Sequence, residues 1–468
     1  MNRPPIELLA PAGTIKNMRY AFAFGADAVY AGQPRYSLRV RNNDFQLENL
    51  KTGIDEAHAQ GKKFFVASNL LPHNNKLKRY LEHMQPVIDM RPDALIMADP
   101  GLIMMVREKW PEIPVHLSVQ ANTMNWAAVK FWQSVGVSRI ILSRELSLDE
   151  IEEIRQRCPD IELEVFVHGA LCMAYSGRCL LSGYFNHRDA NQGTCTNACR
   201  WEYGMEKAAE DVSGDIIPIQ NVSDQSISSQ AVSSEILNGM NAQPFAETGN
   251  VKRHPLADQV YTLSEPNRPG EQMPVFEDEH GTYIMNSKDL RAVQHVERLV
   301  NIGVDSLKIE GRTKSHYYVA RTAQTYRQAI DDAVAGKPFD ESLMFQLDAL
   351  ANRGYSDAFY TRKRASGTQN YTTGNSKFDV QRFVGEVVAY DDEKKMAEVI
   401  VKNKFSVGDS IELINPGGNT TFNLKSINDA RYGHPMDVAP GSGHQVKIPV
   451  PVKPAERALL AVNLNEAD

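Results

Sequence analysis

No stretch of this 468-residue chain approaches the roughly 20 apolar residues that a membrane-spanning helix needs. Its first residues, MNRPPIELLAPAG, carry neither a long apolar run nor a small-residue cleavage signature. A cytoplasmic protein with no membrane partner is therefore expected. Cysteine is scarce, at five, and the odd count argues against a fully disulfide-paired scaffold. A HExxH zinc helix, a GxSxG elbow and a CxxxCxxC run are all missing, which removes the usual marks of a zinc peptidase, a serine hydrolase and a radical enzyme using S-adenosylmethionine. Positive charge is not in excess either. With a formal net charge of -7, any contact with nucleic acid has to come from a local patch.

What the chain does have is 42% apolar content, enough for one large domain and a small one. Short β-branched runs alternate with helical patterns from the start, which predicts βα units around a parallel sheet. Eight strands are expected: Ile6 to Pro11, Ala28 to Gly32, Lys62 to Ser68, Ala94 to Asp99, Pro114 to Ala121, Arg139 to Glu145, Leu163 to Gly169 and Ser306 to Gly311. That is the count of a TIM-type (β/α)8 barrel, whose chemistry sits in the loops after the strands. The seventh strand is followed by a long insertion. From Ala170 to Ser287 there are 118 residues, against roughly 2 to 6 for an ordinary βα loop. Its middle, about 206–272, is rich in Ser, Asn, Gln and Asp, which suits either a mobile cover over the active face or a plain spacer. The segment VFEDEHGTYIMN predicts a hairpin turning near His280 and Gly281, with Asn286 or Ser287 capping the helix that leads back to the barrel.

On this pattern residues 1–340 form the barrel domain, and 341–377 are a helical extension and linker holding the basic run Arg362-Lys363-Arg364. Residues 378–468 alternate like a small all-β barrel. From Ser376 onward the chain has 11 Lys/Arg against 13 Asp/Glu, so FSVGDSIEL, which resembles the barrel modules of translation factors, suggests RNA contact by analogy only.

Four of the cysteines fall within 28 residues, as Cys172-x6-Cys179-x15-Cys195-x3-Cys199. Glycines at 169, 177, 183 and 193 loosen the backbone so that four thiols can converge on one centre. Thiolates suit zinc or an iron-sulfur cluster, and only Cys195 and Cys199 come near the tight knuckle of a zinc site, so a 4Fe-4S cluster ranks first. The cluster would lie at the barrel mouth, because Cys172 follows the seventh strand by three residues. Cys158, in IEEIRQRCPD, reads as a plain thiol.

The block EVFVHGALCMAYSGRCLLS resembles the signature of peptidase family U-32, the collagenase-like proteins. ELLAPAG, GADAVYAG, GTYIMNSKDL, VDSLKIEGR and SHYYVA resemble further blocks of that family, so the likeness covers most of residues 5–335. It implies oxygen-independent, prephenate-dependent hydroxylation by a protein whose four cysteines hold an iron-sulfur cluster. The chain is most similar to the branch acting on tRNA, which forms 5-hydroxyuridine at the wobble position. Prephenate, tRNA and an electron donor are the partners that this implies. Two other classes compete: a metal-dependent collagenase-like peptidase, the family's historical label, and a noncatalytic RNA-binding protein pinned by its metal.

Polar residues at strand ends are candidates for the site because those ends converge at the mouth. They are Arg39 and Arg41 after strand two, Asn69 after three, Gln120 and Asn122 after five, Arg144 after six, His168 at seven, and Lys308, Glu310 and Arg312 at eight. Arginine forks bind carboxylates in a bidentate manner, so Arg39, Arg144 and Arg312 are assigned to a dianion such as prephenate. His168, Lys308 and Glu310 are candidate catalytic or proton-handling groups, and Tyr317 and Tyr318 are candidates to stack on a base.

Overall fold

The computed structural model describes residues 5–37, 44–72, 74–170, 289–350, 354–361, 380–441 and 443–464, together with the backbone of five strands inside 171–288. Seven strands come first: β1 (Glu7–Pro11), β2 (Ala28–Gly32), β3 (Lys63–Ser68), β4 (Ala94–Met97), β5 (Val115–Leu117), β6 (Arg139–Ile141) and β7 (Glu162–Ala170). Each pairs in parallel with the next. The insertion supplies β8 (Gly204–Glu210), β9 (Ile216–Pro218), β10 (Val260–Ser264), β11 (Met273–Asp278) and β12 (Gly281–Ile284). Then come β13 (Asp289–Arg291) and β14 (Ser306–Ile309). Strand β14 lies between β1 and β7, with Ser306 level with both Glu7 and Glu164, and so closes an eight-stranded parallel barrel.

The expected strands five and six run too long. After Leu117 the Ser118 hydroxyl accepts from the Gln120 N–H, turning the chain into a 3-10 turn, Val119–Ala121, that ends on Asn122 in the left-handed region at φ 49°. Strand β6 stops at Ile141. Helices between the strands begin where side chains satisfy free N–H groups: Thr14, Asp99 and Asn125 each accept at a helix start, and Ser147 with Glu150 forms a full capping box.

Among the insertion's described strands the pairing is antiparallel, in the order β12-β11-β10-β8-β9. The expected hairpin is there, since Asp278 pairs with Gly281. These strands belong to a separate compact unit, Cys172–Ser287 with Gln369–Ser376. Residues 219–259, the helix cap at 286–287 and the basic run at 362–364 lie outside the described residues.

The C-terminal residues build an antiparallel sheet of eight strands, centred on β16 (Gln381–Asp391) and β17 (Met396–Val401), with an apolar core that includes Val384, Val399, Ile411, Val446 and Leu460. It is fastened to the last barrel helix, His316–Val334. Arg321 reaches Glu412 through two bonds, at 3.1 and 3.0 Å, and Gln324 donates to the Asn415 carbonyl at 2.7 Å. Apolar Ile414, Leu459 and Ala461 of this sheet merge with the barrel core.

Candidate active site

Side chains inside the barrel are charged, and they are ion-paired in levels. At the bottom, Arg139 bonds Glu7 at 2.6 Å and Glu162 at 2.8 Å, and it meets Glu164 at 3.1 Å. One level up, the Lys308 ammonium sits 2.8 Å from the fully buried Glu164. Burial alone would raise the Glu7 carboxyl, but Arg139 and Lys63 hold it below the usual range. Burial lowers the Lys308 ammonium, and the Glu164 charge opposes that shift. Beside them, buried His116 is held neutral, first by burial and then by the cations Arg139, Lys308 and Lys63.

Phe166 ends this ladder. Lys308 and Arg144 approach its ring, at 5.5 and 3.8 Å from the centroid. Above it, Arg144 meets Glu310 at 3.2 Å, so β6 and β14 bring two of the predicted residues together at the strand ends. Arg312, also predicted, is buried two residues further on, and its Nη1 donates to Ser37 Oγ at 2.8 Å. Gly32 leaves it the space. A Cβ at Gly32 would stand 2.6 Å from both Arg312 Nη1 and Ser37 Oγ. Tyr30, whose hydroxyl donates to the Ile309 carbonyl, places its ring 5.9 Å below the Arg312 guanidinium and 4.3 Å from Lys308. Asn69, Gln120 and Asn122 are partly buried at the ends of strands three and five. Arg35, after β2, is exposed and leans on His83.

Sequence reasoning missed Gly32, Ser37, Tyr30, Glu164 and Phe166. The signal was present for two of them. Glu164 and Phe166 share one face of a period-2 strand, and an acid inside an otherwise apolar strand needs a buried partner.

Four expectations change. Lys308 is a core ion-pair partner of Glu164, beneath Tyr30 and Phe166, and does not serve as a free proton donor at the mouth. His168 faces the outer layer, because the register slips between Lys308 and Ile309 and carries it past Val167. There it packs among Tyr318, Tyr326 and Tyr355. The Tyr326 hydroxyl donates to the Val167 carbonyl at 2.6 Å, so it is left to accept from His168 Nδ1 at 3.3 Å, and that fixes the tautomer.

Neither tyrosine is open to a base. Tyr317 is buried, stacks on Phe383 at 4.7 Å and donates to Gln381, sealing the barrel to the C-terminal sheet. Tyr318 is buried too and donates to the Glu310 carbonyl at 2.8 Å. Gly311, at φ 146°, admits its ring, since a Cβ there would stand 2.6 Å from Cε1, and Gly169, at φ 105°, leaves room for the Glu310 carbonyl and the Tyr318 hydroxyl, which a Cβ would meet at 2.5 and 3.0 Å. Tyr318 thus braces the turn that presents Glu310 and Arg312.

The family model described as peptidase family U32 matches residues 13–370, and that of the peptidase family U32 C-terminal domain matches 379–461. The chain belongs to peptidase family U32. Among U32 relatives, the tRNA hydroxylation protein P of Escherichia coli (strain K12) is 60% identical over 95% of this chain and 94% of its own length. That of Haemophilus influenzae is 60% identical over 95% and 93%. A collagenase of Porphyromonas gingivalis is 25% identical over 98% of each chain.

In this U32 barrel the four clustered cysteines, Arg39 and Arg41 lie outside the described residues. Among the described residues no three His, Cys, Asp or Glu side chains gather as a metal site requires, and no helix is long and apolar enough to cross a membrane. Cys158 is buried, its thiol 3.5 Å from the Trp126 carbonyl, and burial raises its pKa.

His168 supplies a pH test. Burial, with help from Arg291 and Lys314, pushes it down from 6.5 to about 3. The folded value is below the unfolded one, so protons favour the unfolded chain. This contribution to stability is complete above about pH 6.5 and is lost as pH falls toward 3, at about 1.4 kcal/mol per unit. Urea unfolding of His168→Gln between pH 7 and 5 is expected to show an acid slope shallower by close to one proton. An unaltered slope would mean that His168 already titrates in the folded state.

Proposed function

We propose that this chain is a tRNA-modifying enzyme that hydroxylates the wobble uridine to 5-hydroxyuridine without oxygen, taking the hydroxyl from prephenate. The observation that carries the reading is 60% identity, over nearly the full length of both chains, to relatives named for tRNA hydroxylation. The mouth supports it. Arg144 and Arg312 follow the two strands on either side of β7, and planar guanidinium forks above a buried barrel floor suit a small dicarboxylate. Glu310, bonded to Arg144, keeps that cation oriented until an anionic substrate competes for it.

Cys172, Cys179, Cys195 and Cys199 are the residues that would hold a 4Fe-4S cluster, and an all-thiolate donor set fits one. When bound, it would supply electron transfer or a site for the hydroxyl donor. In the barrel, this chain's residues bind and orient: the two arginines take the carboxylates, Tyr318 holds the turn, and Phe166 with the ion-paired ladder beneath closes the floor to water. The cytoplasm is where the tRNA and reduced thiols would be found, and an electron donor remains part of the proposal.

Two measurements test this reading. Protein purified without oxygen is expected to contain about four irons and four acid-labile sulfides per chain. With prephenate, it is expected to convert uridine to 5-hydroxyuridine in unmodified tRNA, read by nucleoside mass spectrometry. One zinc and no sulfide would refute the cluster, and conversion that is equal without prephenate would refute the donor.

A further inference from the structure

A large RNA needs contacts beyond the mouth, and a chain of net charge -7 has to make them locally. One described feature of the C-terminal sheet is built for that. Its edge hairpin joins Ile427–Asp429 to Pro435–Met436, with Ile427 paired to Met436 and Asn428 to Pro435. The tip between them reads Ala-Arg-Tyr-Gly-His. Residues Arg431 to Pro435 are all exposed, and Tyr432 retains 65% of its accessible surface.

The backbone beneath is fixed. Asp429 Oδ1 accepts from the N–H groups of Arg431 and Tyr432 at 2.9 and 2.7 Å, and the Asp429 N–H donates to the His434 carbonyl at 2.8 Å. Gly433 completes the turn at φ 74° with open space where a side chain would be. Asp429, the one acid in the tip, has its Oδ1 engaged by that turn, and the nearest other acid, exposed Asp437, follows the hairpin's second strand.

Tyr432 is presented with companions. Its ring lies nearly parallel to that of His434, 6.2 Å between centroids at 23°, and the Arg431 guanidinium sits 5.1 Å from its centroid. The Ala430 N–H bonds the Gln445 carbonyl, which brings the exposed His444 segment beside the base of the tip. An aromatic face flanked by a guanidinium and imidazoles, held at the end of a rigid turn, is the composition that stacks on an unpaired base and meets its phosphate. Exposed Phe345 shows the contrast. It lies on a helix flanked by Asp340, Glu341 and Asp348, where a polyanion is repelled.

We infer that this tip is an RNA contact separate from the residues of the active site: Tyr432 stacks on an unpaired base of the substrate and Arg431 neutralises a neighbouring phosphate. The inference rests on the tRNA reading above and adds the element that grips the RNA. The test is fluorescence anisotropy of the full-length protein with a labelled tRNA across salt concentrations, together with steady-state hydroxylation. Tyr432→Ala is expected to weaken tRNA binding and raise its KM about tenfold at unchanged kcat, and Tyr432→Phe is expected to restore both. Arg431→Ala is expected to reduce the slope of log Kd against log salt by about one. If wild type binds tRNA and Tyr432→Ala binds it equally well, this inference is overturned by itself. Wild type that binds no tRNA overturns the tRNA reading, and the inference with it.

Discussion

Arg312→Ala is expected to lower kcat/KM for the proposed anionic hydroxyl donor by about a hundredfold, with the content of the proposed iron-sulfur cluster unchanged. Removing a buried, charge-assisted contact to a bound anion costs about 2–5 kcal/mol, which spans that factor. The guanidinium is buried and bonded to Ser37, so it is preset and does not have to be gathered from solvent. Gly32→Ala separates charge from position. It keeps the arginine but puts a Cβ where its Nη1 now lies, at 2.6 Å. A loss of the same kind, about tenfold and mainly in KM, is expected there. Full activity in Arg312→Ala would remove this residue from the site.

The second large effect is on stability. Glu164→Ala is expected to destabilise the fold by about 3–5 kcal/mol, read from the urea midpoint, because it leaves Lys308 charged in the barrel interior without its partner. Arg139 would be less affected, since Glu7 and Glu162 still hold it. Lys308→Met in the Glu164→Ala background is therefore expected to recover most of the loss, by replacing a stranded cation with an apolar chain of similar length. A cost below about 1 kcal/mol for Glu164→Ala would show that the interior pair is solvated or protonated and does not clamp the barrel.

How far the sequence could be read depended on the kind of information needed. The barrel was legible because each strand is a short, mostly apolar run at its own place in the chain, and strands buried on both faces read as near-continuous apolar stretches without long-range knowledge. That Arg144 and Glu310 meet near the strand ends was legible by the same logic, since strand ends converge in this fold. The direction in which a side chain points at a register slip was not. Nothing local in VFVHG announces that Val167 is passed over and His168 turned outward. Lys308 looked like a proton donor because its partner, Glu164, is 144 residues away in the chain. Tyr317 and Tyr318 looked free for a similar reason. The surfaces that bury them come from Phe383 and Gln381, across the domain junction, and from two glycines with left-handed backbone.

The closing pair of the barrel has a consequence for how the chain is made. Strand β14 meets β1 with Ser306 beside Glu7, nearly three hundred residues apart, so no closed barrel exists on the ribosome until the eighth strand has emerged. All four clustered cysteines leave the ribosome about a hundred residues before that strand. The entropy of closing so long a loop grows only logarithmically, about 0.6 kcal/mol for each doubling, so the insertion between β7 and β14 adds little to the equilibrium cost. Its burden is on time: high contact order makes closure slow, and the four thiols have already been synthesised while it happens.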